Sequence, residues 1–297
     1  MKKTIFKGAG VALVTPMNDD GSVNYEELEK LINFQVENGT DAIITCGTTG
    51  ESATLSDEEH SKVIEFTIKK VNGRVPVIAG TGGNNTEMVL KKSLHAEKLG
   101  ADGLLIVTPY YNKTSQKGLI EHYTYIADKV NTPIILYNVP SRTGVNIKTE
   151  TYLALSKHEN ICAVKEANGD ISSVAKTISL CGDNLAVYSG NDDQIVPILS
   201  LGGIGVISVF SNICPKECHN LIKSFLDGDT EISAKMQIKY LELMNAMFCD
   251  VNPVPVKEAL NMMGFKCGKC RLPLYELSNE NRSNVQSILR KYGLIKN

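Results

Sequence analysis

In Ile161-Cys162-Ala163-Val164-Lys165-Glu166, four small or branched apolar residues run directly into a lysine. A short apolar run of this kind reads as a strand buried on both faces, as in a parallel sheet. A lysine at the end of such a strand lies where water is scarce, and desolvation disfavours its charged form. The lone pair of the amine then becomes available, which is how a lysine becomes a nucleophile able to form a Schiff base with a carbonyl compound. The plainer reading of these six residues is a strand-end lysine that snorkels to solvent and pairs with Glu166.

Seven further apolar runs flank this one: Val11–Val14, Ala42–Thr45, Val75–Ala79, Gly103–Val107, Ile134–Tyr137, Leu185–Tyr188 and Ile204–Val209. The stretches between them have helical period. Asn24 with Glu27 makes an N-cap pair ahead of a Leu28, Leu31, Ile32 stripe, and Gly39 closes that segment. Ser56 with Glu59 reads as a capping box, with Gly73 as the stop; Thr86 opens a helix that ends at Gly100. Ser115 opens another, with Leu119, Ile120, Tyr123, Ile126 and Val130 on one face, and three shorter connectors follow at Asn146–Lys157, Asp170–Leu180 and Asp192–Leu201. Strand–helix alternation repeated eight times predicts an α/β protein, a (β/α)8 TIM barrel. An open doubly wound sheet would carry a Gly-rich turn after its first strand, where this chain has Thr15-Pro16-Met17-Asn18. The barrel is expected over residues 1–226 and a small helical C-terminal extension over residues 227–297. No low-complexity linker separates the two, so the extension should pack on the barrel.

Composition excludes several classes. With 297 residues, 42% hydrophobic, 22% charged and a net charge of −2, the chain suits one large globular unit with an appendage. It has no basic stripe for nucleic acid, and no apolar run approaches the ~20 residues of a membrane helix. Met1-Lys2-Lys3-Thr4-Ile5-Phe6 is basic, but polar residues follow too soon for a signal peptide. A cytoplasmic location is the expectation, and with it eight reduced cysteines. Cys267-Gly268-Lys269-Cys270 is a lone CxxC, to which Cys214, Cys218 and His219 could add ligands. Without a properly spaced second pair, packing or a surface dithiol is the expectation, and no metal.

Barrel enzymes carry their chemistry at the C-terminal ends of the strands. There this chain has Thr15, Gly47-Thr48-Thr49-Gly50-Glu51, Thr108-Pro109-Tyr110-Tyr111-Asn112, Tyr137 through Gly144, Lys165, Ser189-Gly190-Asn191 and Ile207-Ser208. Lys165 supplies an amine, and Tyr137, one strand away, can carry protons during carbinolamine formation and dehydration. Thr48 and Thr49 offer hydroxyls and backbone N–H groups to a carboxylate, and Arg142 can clamp one in bidentate fashion. Singly, each has a plain explanation: turn chemistry for the threonines, a core edge for the tyrosine, a solvated loop for the arginine. Their arrival at one barrel face favours function. The loops after strands seven and eight lack early lysine or arginine, which argues against a phosphorylated substrate.

Three segments, Gly47-Thr48-Thr49-Gly50-Glu51-Ser52, Tyr137-Asn138-Val139-Pro140-Ser141-Arg142-Thr143-Gly144 and Val164-Lys165-Glu166, resemble the dihydrodipicolinate synthase family. That family belongs to the pyruvate-dependent class I aldolases, which include N-acetylneuraminate lyase. The likeness runs from Gly8 to the C-terminal helices. The resemblance implies that Lys165 forms a Schiff base with pyruvate and that Tyr137 relays protons with Thr48 and Tyr111, the latter reaching into a neighbouring subunit's site. It implies that Thr49 and the backbone at Ile207 hold the pyruvate carboxylate, with Gly190 nearby. Arg142 would receive the carboxylate of L-aspartate 4-semialdehyde. The product would be 4-hydroxy-tetrahydrodipicolinate, made without metal or organic cofactor by a homotetramer built as a dimer of dimers. Family members under feedback bind lysine at a dimer-interface cleft matching Ser52, Ala53, His60, Asn84 and Tyr110. The inhibited enzymes carry a glutamate where this chain has Met88, and often a histidine where it has Asp57, so weak or absent lysine inhibition is expected. Two alternatives are a sister aldolase cleaving N-acetylneuraminate or 2-keto-3-deoxygluconate, which the Arg142 guanidinium disfavours, and a non-catalytic barrel that senses a metabolite.

Overall fold

The computed structural model describes residue 2 and residues 4–296. Its strands are β1 (Gly8–Ala12), β2 (Ala42–Thr45), β3 (Val77–Gly80), β4 (Gly103–Val107), β5 (Ile134–Asn138), β6 (Ile161–Glu166), β7 (Ala186–Ser189) and β8 (Gly205–Ser208). All neighbours run parallel, and β8 returns to β1 to close the barrel. Eight strands with intervening helices therefore form the (β/α)8 barrel that the alternation predicted. Several boundaries differ from the sequence reading, β1 among them, which spans Gly8–Ala12 where the apolar run is Val11–Val14. β3 begins at Val77 rather than Val75, because Pro76 has no N–H to give to a ladder. β6 continues through Lys165 and Glu166 instead of ending at Val164.

Around the strands lie α1 (Tyr25–Glu37), α2 (Asp57–Val71), α3 (Thr86–Leu99), α4 (Gln116–Ala127), α5 (Pro140–Thr143), α6 (Thr149–Leu155), α7 (Ile171–Cys181), α8 (Ile195–Ser200) and α9 (Pro215–Leu226). Local chemistry sets their ends. The Asn24 side chain accepts from the Glu27 N–H, and Ser56 with Glu59 completes a reciprocal capping box. Helix α2 closes on Asn72 in the left-handed conformation, one residue before the predicted Gly73, since asparagine tolerates that geometry.

The side chains of the strands alternate between two cores. Inside the barrel lie Phe6, Ile44, Ile78, Leu105, Ile135 and Tyr188. Phe6 closes the lower end, its ring stacked on Tyr188 at 4.4 Å while the Tyr188 hydroxyl donates to the Phe6 carbonyl at 2.6 Å. Gly205 lets β8 meet β1, for a Cβ there would stand 2.1 Å from the Gly8 carbonyl oxygen. The larger core lies between strands and helices. It takes in Leu243, Met244 and Met247 on or beside α10 (Thr230–Ala246), Val256 and Leu260 of α11 (Val254–Met262), and Val285 and Leu289 of α12 (Asn279–Lys291). These C-terminal helices thus share one apolar core with the barrel. Among the described residues, no helix is long and apolar enough to cross a membrane.

Candidate active site

Tyr137 of β5 and Lys165 of β6 are register partners at the C-terminal end of the barrel. Both are buried, and the Lys165 Nζ lies 4.4 Å from the centroid of the Tyr137 ring. The next residues, Asn138 and Glu166, are also register partners and point to the opposite face. There the Glu166 carboxylate accepts from the Asn138 amide at 2.9 Å, the Tyr152 hydroxyl at 2.7 Å and the Asn168 N–H at 2.9 Å. Burial nonetheless pushes the Glu166 carboxyl up to about 7, against the pull of those donors. The plain pairing of Lys165 with Glu166 is therefore overturned: strand alternation puts the two on different faces, and Glu166 is committed to the outer one.

The Gly47–Glu51 loop follows β2. Its Thr49 is buried and accepts from the Asn252 side-chain amide at 3.0 Å, while the Glu51 N–H donates to the Thr48 carbonyl at 3.0 Å. Arg142 sits exposed on α5, a one-turn helix opened by Pro140, and its Nη2 donates to the Asn252 carbonyl at 3.3 Å. A cavity of about 520 Å³ lies between these elements, walled by Thr48, Tyr137, Arg142 and Asn252. It continues past Ser52, Ala53, Asn84, Met88 and Tyr110.

Several residues named from sequence stand off that wall. Lys165 lies behind it, against the ring of Tyr137. Thr49 faces Asn252, and Ile207 is fully buried in β8. Gly190 follows β7, and its N–H donates to the Glu166 carbonyl at 2.7 Å; a Cβ there would stand 2.9 Å from that oxygen. Tyr111 is 91% exposed and held at a φ of +70°, and it is not among the residues that line the cavity. His60 is turned inward from α2, its Nε2 2.8 Å from the Gly80 carbonyl. The Cys267 carbonyl accepts from Met17, beyond the upper end of β1, whereas His219 pairs with Asp41, ahead of β2. Cys267 and His219 thus sit at opposite ends of the barrel. Burial pushes both the Cys267 and Cys270 thiols up to about 12.

Asn252 is the residue that the sequence reading missed. It lies between α10 and α11, within the expected C-terminal extension. Its backbone carbonyl and side-chain amide hold Arg142 and Thr49, and its buried Oδ1 has no protein partner.

A closed parallel barrel with a cavity at its C-terminal strand ends is the architecture of a (β/α)8 enzyme. The Dihydrodipicolinate synthetase family model matches residues 5–292. A 4-hydroxy-tetrahydrodipicolinate synthase of Caldicellulosiruptor saccharolyticus is 56% identical over 290 residues, 98% of each chain. One from Thermoanaerobacter sp. strain X514 is 54% identical over 293 residues, again 98% of each. The crystal structure of dihydrodipicolinate synthase from Aquifex aeolicus superimposes with a TM-score of 0.96 at 46% identity, covering 98% of this chain and 100% of that one. This chain belongs to the dihydrodipicolinate synthase family.

Proposed function

We propose that this chain condenses pyruvate with L-aspartate 4-semialdehyde to give 4-hydroxy-tetrahydrodipicolinate, on the diaminopimelate route to lysine. The observation that carries the reading is the buried Lys165 amine set against Tyr137 inside the barrel mouth. The names of the relatives favour this condensation over sugar-acid cleavage.

In this reading the Lys165 amine attacks the pyruvate C2 carbonyl. Tyr137, in a relay with Thr48 and Tyr111, moves protons so that the carbinolamine loses water. The resulting protonated imine is an electron sink, so the methyl group releases a proton and an enamine forms; no cofactor is drawn on. The enamine carbon bonds to the aldehyde carbon, and the amino group of the second substrate attacks C2 and releases Lys165. Thr49 and the backbone at Ile207 hold the pyruvate carboxylate near Gly190, and Arg142 takes the carboxylate of the aldehyde. Cys46, Cys181, Cys214, Cys218, Cys249, Cys267 and Cys270 are free thiols, which fits a reducing compartment, and we place the enzyme in the cytoplasm.

The reading is tested by turnover with pyruvate and a panel of aldehydes. Aspartate semialdehyde should be consumed far faster than N-acetylmannosamine or glyceraldehyde, and a preference for either of those would make it a sugar-acid aldolase. L-Lysine added at saturating pyruvate should inhibit weakly. Met88 stands on the cleft wall, Lys92 brings a like charge, and the nearby Asp57 and Glu87 already engage Lys92 and the Tyr125 hydroxyl. Half-inhibition at submillimolar lysine would mean that another carboxylate meets the ligand.

Tyr111 bears on assembly. A side chain so exposed serves a site only in another copy, so we assign it to the partner's site in a homotetramer built as a dimer of dimers. Mixing inactive Lys165→Ala and Tyr111→Phe chains should restore part of the activity, because each hybrid dimer has one site with both lesions and one with neither. Refolded mixtures as inactive as either parent would refute the shared site.

A further inference from the structure

Glu51 ends the Gly47–Glu51 loop in a left-handed conformation at φ +56°, and Cys46, just ahead of the loop, is left-handed too, at φ +53°. Non-glycine residues persist in that region only where their surroundings over-determine them. For Glu51 the surroundings come from the C-terminal segment. The Lys257 Nζ of α11 donates to Glu51 Oε1 at 2.7 Å and to the Lys269 carbonyl at 3.0 Å. The Arg271 N–H donates to the other carboxylate oxygen at 2.8 Å. The Lys257 and Glu51 side chains are 2% and 1% exposed.

A buried ion pair is often no more stabilising than apolar residues of the same volume, so stability alone is a weak reason for this one. Its geometric effect is definite. Both oxygens of Glu51 are held from the C-terminal segment, one by Lys257 of α11 and one by the Arg271 N–H in the connection to α12, and the Glu51 N–H in turn holds the Thr48 carbonyl. Asn252, from the same part of the chain, holds the Thr49 hydroxyl. The two threonines are thus pinned from one side by a segment that contributes no amine, acid or base to the chemistry.

We infer that Lys257 is a positioning residue: through Glu51 it holds the turn that carries Thr48, beside the Asn252 tie to Thr49, in the arrangement that receives the substrate carboxylate. This deepens the pyruvate reading of the site and rests on it. Lys257 is not among the residues that line the cavity, so in this reading it acts through Glu51.

The test uses the full-length enzyme and its Glu51→Gln and Lys257→Met variants. Pyruvate is titrated and the imine on Lys165 is trapped with borohydride; melting temperature and steady-state constants are measured alongside. Displacing a substrate-holding group by a fraction of an ångström to 1 Å costs roughly 10- to 100-fold. The pyruvate concentration for half-maximal trapping should rise by that factor in both variants, with the KM for the aldehyde little changed. A purely structural pair would behave differently: melting temperature and the trapped fraction at saturation would fall, while half-saturation stayed put. That outcome overturns the inference. Should Lys257→Met fail to fold, Glu51→Gln decides, since it keeps the volume and an acceptor; an unchanged half-saturation there overturns the inference equally. Absence of any trapped adduct on the unaltered enzyme would instead overturn the pyruvate reading, and this inference with it.

Discussion

Lys165→Arg should keep the fold and lose nearly all turnover. The Lys165 Nζ lies over the Tyr137 ring, a place that a guanidinium also fits, because it stacks readily on aromatic faces. A guanidinium does not deprotonate in proteins, so the substituted side chain has no lone pair to offer a carbonyl carbon. Removing a covalent nucleophile acts on the scale of 10³-fold or more, and about that loss in kcat is expected here. The matching measurement is intact-mass and peptide mapping after pyruvate and borohydride. The unaltered enzyme should gain one stable adduct per chain, on the peptide containing Lys165, and the variant none. An adduct on another lysine, or substantial turnover by Lys165→Arg, would refute the mechanism.

Arg142→Ala should damage use of the aldehyde while sparing the pyruvate adduct. The side chain is exposed at the cavity mouth and makes one long hydrogen bond, to the Asn252 carbonyl at 3.3 Å. Most of its donors are therefore open to a bidentate carboxylate. Losing a charge-assisted contact costs about 1.5–3 kcal/mol, roughly a 10- to 150-fold rise in the KM for aspartate semialdehyde. The pyruvate concentration for half-maximal trapping should not move. Equal damage to both substrates would mean that the guanidinium serves pyruvate instead.

Much of the frame was legible because its cause is local. Eight apolar runs and the caps at Asn24, Ser56 and Ser115 are written within a few residues of the structures they set. The strand ends then named Lys165, Tyr137, Thr48 and Arg142 before any contact was known. What stayed hidden depends on partners remote in sequence. Asn252 meets Thr49 across 203 residues, a separation that leaves no periodic trace. The outward pairing of Asn138 with Glu166 follows from β6 running two residues further than its apolar stretch. His60 matched a family position, and its turn of α2 aims the ring at the Gly80 carbonyl.

Synthesis order gives the Glu51 anchor another meaning. Lys257 and Arg271 lie 206 and 220 residues beyond Glu51. At about 5–20 residues per second, the ribosome delivers them roughly 10–40 s after the loop they hold. Through that interval the nascent chain can pair all eight strands and still leave Thr48 and Thr49 without their distant supports. A chain cut short or stalled before Lys257 would therefore be a barrel with a loose carboxylate loop, and catalysis would begin only once translation is nearly finished.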